Sequence, residues 1–481
     1  MRTDASSVGS VDLQQWEVVI GLEVHAELST RTKLFSSATN EFGGEPNTHI
    51  DALTLGLPGS LPVLNERAVE LAIRVGLALN CTVQRSVFAR KNYFYPDQSK
   101  NYQISQFDLP INVDGWLELP DGTIAGIERA HLEEDTGKST HVGGGGRIHD
   151  AEHSLVDYNR AGVPLLEIVG RPDLRTPEQA RAYVAELRSV LVAVGASDGK
   201  MEEGSLRVDC NVSVRARGSD ELGIRCEIKN INSLRSLGRA IEYEAARQVD
   251  LITAGERVEQ QTRHWNEDEG RTHKLRSKEG SDDYRYFPDP DLVVLDPGEE
   301  WIERVRAALP LLPAQRRRRL AEHAGVPLEH AALTVERGLD QLVLDAIGHG
   351  ADPARAMTHA EQNLSDERAR ELDPAAFAEL IRMESAGELS STQTKTVLAE
   401  MVDGGGAPGD IASSHGFEAM DTGELDALLD GIIAANPDEW ERFCGGDGKV
   451  TGFFVGQIMK ATQGKADGKV VTALLNSRRP S

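Results

Sequence analysis

The chain has 481 residues, 40% of them hydrophobic, an ordinary profile for a protein of two or three domains, since one core rarely exceeds about 250–300 residues. Its net charge of −25 argues against a broadly basic nucleic-acid-binding surface, although it leaves room for a local basic face. No apolar run approaches the roughly 20 residues that span a membrane, so we expect no membrane association. The four cysteines form no CxxC pair, and we expect buried, reduced thiols in a cytoplasmic protein.

Three regions follow a short leader along the chain. Residues 1–15 lack an apolar segment and predict a disordered leader rather than a secretion signal. Residues 16–297 alternate polar and apolar side chains and predict an α+β domain with a mainly antiparallel sheet. Residues 298–403 have helical spacing, the glycine-rich stretch 404–409 predicts a flexible hinge, and residues 410–478 predict a small all-α tail.

The first predicted strand, residues 17–28, has two chemically different faces. Apolar side chains take every second position, and an antiparallel strand with one buried face accounts for them. Glu23, His25 and Glu27 lie on the opposite face. That face is either solvated or a metal or acid–base surface, because Mg²⁺ and Mn²⁺ accept carboxylate ligands together with an imidazole.

Further carboxylates follow in strand-like surroundings. Glu133 and Glu134 are adjacent, so alternation allows only one of them to join a shared site, and spacing leaves open which one. Glu167 lies in the otherwise apolar run 165–169, where a carboxylate must be ion-paired or metal-bound. Both a structural ion pair and a metal site satisfy this requirement.

Capping signals predict a helix after Glu167. Thr176 is suited to the N-cap, with Pro177 at the first helical position and Gln179 at the third. Apolar residues then recur at helical spacing as far as Val194, and Gly195 marks the end. We expect the apolar stripe of this helix to pack on the sheet.

Two later strands repeat the two-faced design. Asp209 and Asn211 lie on the polar face of residues 205–215, and Lys229 lies on that of residues 224–230. Such a face can hold metal-bound nucleotide phosphates, with carboxylates on Mg²⁺ and Lys or Arg on phosphate oxygens. No G-x-x-x-x-G-K-[ST] loop occurs, and we expect a nucleotide site of neither the Walker nor the Rossmann type.

Tyrosines are scarce in this chain but cluster at residues 91–106 and 278–288. Aromatic rings interleaved with Lys, Arg and amides suit a single-stranded nucleic-acid end, which is held by stacking and hydrogen bonds. Local packing of the two loops is the alternative interpretation.

Together these segments resemble the B subunit of the aspartyl/glutamyl-tRNA amidotransferases over about residues 16–475. The motifs that carry the resemblance are WEVVIGLEVHAEL, RKNYFYPDQSKNYQISQFD, HLEEDTGKS, DYNRAGVPLLEIV, KMEEGSLRVDCNVSVR, EIKNINS, KEGSDDYRYFPDPD and, in the tail, GFFVGQIMKATQGKADGKVV. Their length and order make chance a poor explanation.

This resemblance implies a glutamine-synthetase-like cradle over residues 16–297, a helical domain over 298–403 and a YqeY-like tail that binds tRNA. It implies a heterotrimer in which an amidase-type A subunit releases ammonia from glutamine and a small C subunit joins A to B. The B subunit would use ATP and Mg²⁺ to phosphorylate the side-chain carboxylate of Glu-tRNA(Gln) or Asp-tRNA(Asn). Ammonia would then displace the phosphate to form the amide.

The same resemblance assigns roles to individual residues. It implies that Mg²⁺ is bound by Glu23, His25, Glu134 and Glu167, so that it selects Glu134 over Glu133. It implies catalytic roles for Glu134, for Lys91 near the point where ammonia arrives, and for Arg285; nucleotide or phosphate contacts are implied for Asp209, Asn211, Lys229 and Arg285. Some family members carry a cysteine zinc cluster near residues 51–55, where this chain has no cysteine, and we expect no zinc.

Two other classes of function remain open. A non-catalytic tRNA-binding scaffold needs basic strand faces rather than acids with a histidine. A stand-alone ATP-dependent ligase for a free amino acid would not need a tethered tail. The Ser- and Gly-rich amidase signature is missing, so we do not expect this chain to hydrolyse glutamine, and the preferred mischarged tRNA does not follow from the sequence.

Overall fold

A computed structural model describes residues 15–143, 151–275, 284–417, 422–462 and 468–479. The leader predicted over residues 1–15 lies outside these ranges, apart from Gln15. The chain divides into two compact units, Met1–Ala314 and Gln315–Ser481. Among the described residues, no helix is both long and apolar enough to cross a membrane.

The first unit contains every strand found in the described residues and four complete helices. The strands are β1 (Trp16–Glu27), β2 (Thr82–Val83), β3 (Ala89–Asn92), β4 (Tyr102–Ser105), β5 (Asn112–Glu118), β6 (Ile124–Glu134), β7 (Lys138–Val142), β8 (His153–Asp157), β9 (Pro164–Gly170), β10 (Leu206–Ala216), β11 (Cys226–Ile231), β12 (Gln261–Asn266), β13 (Arg271–Lys274) and β14 (Phe287–Pro288). The helices are α1 (Glu66–Ala78), α2 (Pro177–Ala193), α3 (Leu234–Thr253) and α4 (Glu299–Ala307).

Twelve of the described strands form one sheet, in the order β13-β12-β11-β10-β1-β9-β6-β4-β3-β14, with β5 paired to both β2 and β6. The neighbours in this sheet are antiparallel, except that β11 and β12 run parallel. Strands β7 and β8 form a separate antiparallel ribbon. The prediction of an α+β unit with a mainly antiparallel sheet is confirmed.

One face of the large sheet is apolar and packs on helices. Ile20, Leu22 and Val24 of β1 are buried in a core that also contains apolar side chains of α1, α2 and α3. The predicted helix is confirmed as α2: the Thr176 side chain accepts a hydrogen bond from the Gln179 amide, and Gly195 follows with a φ of 67°. Because side chains alternate along a strand, the residues between these apolar positions project from the other face of the sheet.

Helix α4 belongs to the first unit, beyond the boundary predicted at residue 297. Val305 is buried in the core of that unit, and Trp301 and Ile302 pack against it. The helical spacing was interpreted correctly, but it carried no information about which core the apolar stripe of α4 joins.

The second unit is helical throughout its described residues. Helix α5 (Pro313–Ala324) begins at the unit boundary, and it is followed by α6 (Ala331–Glu336), α7 (Asp340–Gly348), α8 (Pro353–Gln362), α9 (Pro374–Ala386), α10 (Ser391–Gly404), α11 (Pro408–Ser414), α12 (Thr422–Ala435), α13 (Pro437–Cys444), α14 (Lys449–Ala461) and α15 (Gly468–Ser477). Two separate hydrophobic clusters lie in this unit, one formed by residues 320–412 and one by residues 425–475.

The stretch 404–409, predicted as a hinge, comprises the end of α10, a three-residue connection and the start of α11, and both helices belong to one core. Ala412 of α11 is buried in the same cluster as the apolar residues of α9 and α10, and Ile411 packs against that cluster. Gly405 and Gly406 have φ values of 68° and 117°, which glycine adopts without strain. These glycines therefore form a short connection within one core, and the separate tail cluster begins at Leu425 of α12.

Candidate functional site

A row of ionisable side chains crosses the polar face of the sheet. His25 of β1 lies opposite Arg207 of β10 on one side and opposite Glu167 of β9 on the other. Glu167 in turn lies opposite His131 of β6. Strand register therefore assembles Arg207, His25, Glu167 and His131 from four different strands.

Two more carboxylates complete what we call the acidic cluster, defined as Glu23, His25, His131, Glu133 and Glu167. His25 Nε2 lies 3.5 Å from a Glu23 oxygen, 3.6 Å from Glu167 and 3.9 Å from Glu133. His131 Nε2 lies 3.5 Å from Glu167 and 3.9 Å from Glu133. Such oxygen-rich ligation with imidazole suits Mg²⁺ or Mn²⁺.

Burial and the charges of neighbouring side chains shift the pKa values of the groups in the acidic cluster. Burial, with the charge of Glu167, raises the pKa of Glu133 to about 7, and burial lowers the pKa of His131 to about 4. Burial also opposes the charge on His25 and Glu167. For Glu167 the positive fields of His131 and His25 outweigh it, and for His25 the attraction of Glu167, 3.6 Å away, outweighs it. The pKa of His25 rises to about 9 and the pKa of Glu167 falls.

Lys91 borders the acidic cluster from β3. Its ammonium lies 4.9 Å from the centroid of the Tyr284 ring, a cation–π contact. Burial opposes its charge, but Glu133 and Glu167 raise the pKa of Lys91. Lys91 is therefore held as a cation beside the carboxylates, where it can contact an anionic group.

Of the predicted phosphate contacts, three lie on the polar face and one lies apart. Asp209 is opposite Glu23, and Asn211 is opposite Gly21. Lys229 forms ion pairs with Asp209 and Glu227. Arg285 is exposed ahead of β14, with a left-handed φ of 47°, and no contact of its side chain with the acidic cluster is found in the described residues.

The structure separates Glu134 from the metal ligands with which it was grouped. Leu132, two residues earlier, is buried in the helix-covered core, and alternation places Glu134 on that same side of the sheet. Both Glu134 oxygens accept hydrogen bonds of 2.7 Å from Lys100 Nζ, and one accepts a third from the Ile104 amide. Glu133 takes its place in the acidic cluster.

Glu134 instead lines a pocket on the helix-covered side of the sheet, together with two lysines. The other lining residues are Lys33, Phe35, Ser36, Leu53, Thr54, Gln98, Lys100, Ala161 and Gly162. Lys33 Nζ donates to the carbonyl oxygens of Ala161 (2.6 Å) and Tyr158 (3.1 Å), and burial lowers the pKa of Lys33 to about 8. Sequence reasoning missed Lys33 and Lys100, whose strand-free surroundings gave no signal.

Replacing Glu134 by Gln should therefore leave Mn²⁺ binding unchanged. The substitution removes the charge that faces Lys100 on the helix-covered side, so the expected cost is in thermal stability. Equilibrium binding of Mn²⁺ to the variant and to the wild type measures the first effect. Weakened Mn²⁺ binding by a correctly folded variant would show instead that Glu134 is a metal ligand.

Comparison with known proteins relates most of this chain to one family. A family model described as the GatB/GatE catalytic domain matches residues 18–303, and a second, described as the GatB domain, matches residues 354–478. Proteins named as the B subunit of aspartyl/glutamyl-tRNA(Asn/Gln) amidotransferase share 48% identity in Kineococcus radiotolerans (96% of this chain, 97% of the relative) and 48% in Clavibacter michiganensis (97% of each). The relative of that name in Synechococcus elongatus is 45% identical over 96% of this chain and 98% of its own length.

The class to which the first unit belongs is thus that of the GatB/GatE catalytic domains. The chain as a whole belongs to the family formed by the B subunits of the aspartyl/glutamyl-tRNA(Asn/Gln) amidotransferases. As a member of that family, it is one component of a multi-subunit enzyme.

Proposed function

We propose that this chain activates the side-chain carboxylate of glutamate or aspartate esterified to tRNA, for amidation by ammonia from a partner subunit. The observation that carries the proposal is the acidic cluster on the polar sheet face, with Lys91 beside it. A tRNA-binding scaffold would not concentrate buried carboxylates at this point. The fold proposed for the sheet is a glutamine-synthetase-like cradle.

The donor set fits Mg²⁺. Ligand atoms of Glu23, His25 and Glu167 lie within 4.8 Å of one another, and two of the three are carboxylates. When bound, ATP would supply the phosphoryl group that makes the carboxylate a better electrophile, and Mg²⁺ would supply positive charge that offsets the phosphates.

The chain's own residues would position the reactants. Lys91 keeps its charge and faces the same carboxylates, so it can hold an anionic oxygen of the substrate. Asp209 and Lys229 lie next to Glu23 on the same face, where Lys229 can exchange a carboxylate partner for a phosphate oxygen. Arg285 is proposed as an outer phosphate contact, reached only after it moves from its exposed position.

The proposed partners are an amidase-type A subunit and a small C subunit. The test is to assemble this chain with both and to supply glutamine and ATP with either Glu-tRNA(Gln) or Asp-tRNA(Asn). We expect ATP-dependent formation of Gln-tRNA or Asn-tRNA, and the two substrates reveal the preference. Amide formation without ATP consumption would contradict the proposed activation step.

We further propose that the tail cluster binds the tRNA body. Lys460 is exposed on α14, while Lys465 and the side chains of Lys449 and Lys469 lie outside the described residues. Four lysines within residues 449–469 of a protein with a net charge of −25 give a local reversal of sign along the sequence, which phosphate contacts require.

Truncation after Phe417 should raise the KM for aminoacyl-tRNA and flatten its salt dependence, because phosphate contacts release counterions. The cut falls between the two hydrophobic clusters, so the remaining fold and its Mn²⁺ binding should persist. Lys460→Ala should give a milder effect, with Asp438→Asn as the exposed-charge control. If the truncated assembly keeps the wild-type KM for aminoacyl-tRNA and the wild-type salt dependence of that KM, the tail does not bind tRNA.

A further inference from the structure

The two tyrosine-rich segments of the sequence meet beside the acidic cluster. The Lys91 ammonium of β3 lies 4.9 Å from the centroid of the Tyr284 ring. The Tyr284 and Tyr286 rings meet edge to face with their centroids 6.1 Å apart. Tyr286 in turn stacks on Phe107, with 4.0 Å between the ring centroids and 9° between the ring planes. We call Tyr284, Tyr286 and Phe107 the aromatic rim.

Phe107 is the most exposed member of the aromatic rim. Its side chain is 47% exposed although one face of the ring lies against Tyr286, and among the described residues it contacts no other ring. An exposed flat ring beside a charged site is suited to a planar partner. The bases of single-stranded nucleic acid stack on aromatic side chains in this way.

The backbone holds the two tyrosines of the rim in a strained conformation. Arg285 lies between them with a φ of 47°, in the left-handed region that residues other than glycine rarely adopt. The Asn92 side chain stabilises this conformation, because it donates hydrogen bonds to the carbonyl oxygens of Tyr284 (2.8 Å) and Arg285 (3.0 Å). Backbone strain held by surrounding contacts is typical of binding and active sites, so it favours a binding role over mere loop packing.

Strand register places the rim within reach of the carboxylate that is to be activated. Ser105 of β4 lies opposite Glu133 of the acidic cluster, and Phe107 follows two residues later, about 7 Å along an extended chain. In an aminoacyl-tRNA, the side-chain carboxylate and the terminal base are on the order of 10 Å apart, comparable to three residues of extended chain. A substrate carboxylate at the acidic cluster therefore brings the terminal base to the rim.

Positive charge next to the rim suits the phosphates of an RNA end. Arg285 is exposed between the two tyrosines, and Lys91 lies against the first of them. Aromatic rings interleaved with Lys and Arg bind the bases and the phosphates of a single strand together.

The sheet order favours tRNA over ATP as the source of the base. The proposed phosphate contacts Asp209 and Lys229 lie on β10 and β11, whereas the rim follows β4 and precedes β14. Strands β1, β9 and β6, which carry the acidic cluster, lie between them. The nucleotide and the rim thus occupy opposite sides of the cluster.

We propose that the aromatic rim binds the terminal adenosine of the aminoacyl-tRNA, with the base stacked on Phe107 and the phosphate near Arg285. This inference rests on the proposed function and adds to it the group that holds the end of the substrate. Tyr286 supports the Phe107 ring from behind. A base held there directs the esterified amino acid, and with it the side-chain carboxylate, toward the acidic cluster.

The first test exchanges Phe107 for Leu, which keeps an apolar side chain but removes the flat ring. In the assembled complex, we expect the KM for the preferred aminoacyl-tRNA to rise at least about 5-fold, the low end of what loss of one base–aromatic stack costs. The KM for ATP should stay unchanged. Phe107→Tyr keeps a ring and should restore the wild-type KM for aminoacyl-tRNA. Trp116→Leu removes an exposed ring from β5 and should behave as wild type.

The second test measures the stack without any chemistry, by equilibrium binding of uncharged tRNA to the assembled complex. The two probes are tRNA with its terminal adenine and the same tRNA with an abasic terminal nucleotide. The wild type should prefer the adenine-bearing tRNA at least about 5-fold, and Phe107→Leu should bind both equally. Circular dichroism and thermal unfolding check that the variant is folded.

Three results would overturn the proposal. They are an unchanged KM for aminoacyl-tRNA in Phe107→Leu, a rise in the KM for ATP alone, and an equal weakening of both tRNA probes that leaves the preference for the terminal adenine intact. A wild type that forms amide but shows no such preference loses only the rim. A wild type that prefers the terminal adenine but consumes no ATP keeps the rim and loses the proposed activation chemistry.

Discussion

Replacing Glu167 by Gln should reduce ATP-dependent amide formation at least about 100-fold, the upper end of what loss of a mere outer-sphere partner costs at a metal site. Glu167 shares the acidic cluster with two histidines, and its ligand atom lies within 4.8 Å of those of Glu23 and His25. The amide nitrogen of Gln does not bind a metal ion as a carboxylate oxygen does. The substitution also removes the negative charge that faces His25 and His131. Release of ammonia from glutamine should continue, because that activity is proposed for another subunit.

Separate assays of ammonia release and of Gln-tRNA or Asn-tRNA formation measure the two expectations. Glu221→Gln changes an exposed carboxylate in the loop after β10 and should leave both rates at wild-type values. Hydrogen exchange of β9 monitors the fold of the variant. Undiminished amide formation by a correctly folded Glu167→Gln enzyme would show that the acidic cluster has no role in catalysis.

Local patterns predicted the secondary structure of this site well. The alternation in residues 17–28 is confirmed, with Ile20, Leu22 and Val24 buried and Glu23 and His25 on the other face. These predictions succeed because strand alternation and helix capping depend on neighbours in sequence.

The choice between Glu133 and Glu134 depends on contacts that are remote in sequence. Family resemblance favoured Glu134 as the metal ligand. In the structure Glu133 lies in the acidic cluster, whereas Glu134 forms an ion pair with Lys100. A local signal was nonetheless present. His131 and Glu133 are two residues apart, so alternation puts both on one face, and the histidine of HLEED would have indicated Glu133 as the carboxylate beside it.

Which core each helix joins could not be predicted from the sequence, for a different physical reason. Helical spacing predicted helices over residues 298–403, but an apolar stripe does not specify its packing partner. Likewise, a glycine run is compatible with a flexible hinge and with a fixed connection, and only the packing of Ala412 and Ile411 shows that the helices on either side of this run share one core.

A buried charge network at the far edge of the sheet should control the stability of the first unit. Glu244 of α3 is fully buried and accepts hydrogen bonds from Arg247 (2.6 and 3.0 Å), Gln248 (3.0 Å) and Thr272 of β13 (3.2 Å), and Arg263 of β12 lies 3.3 Å away. Gln248 also donates to the Val212 carbonyl of β10. One carboxylate thus ties a helix to three strands.

Glu244→Ala should destabilise the first unit by about 3–5 kcal/mol, because removing one member of a buried ion pair leaves Arg263 uncompensated. Glu242→Ala, an exposed change on the same helix, should have almost no effect. Thermal unfolding of the full chain measures the loss, and hydrogen exchange of α3 and β12–β13 assigns it to this unit. Equal stability of the two variants would mean that the network contributes nothing.

Glu244→Gln separates the charge from the shape of this side chain. Burial opposes ionisation, but hydrogen bonds from Arg247 and Gln248 outweigh it and lower the pKa of Glu244 below its ordinary value of 4.5. A lowered native pKa stabilises the fold above pH 4.5, and the contribution is lost as the pH falls through the native value. The stability gap between wild type and Glu244→Gln should therefore be largest near neutral pH and shrink in acid. A gap independent of pH would assign the contribution of Glu244 to packing rather than to its charge.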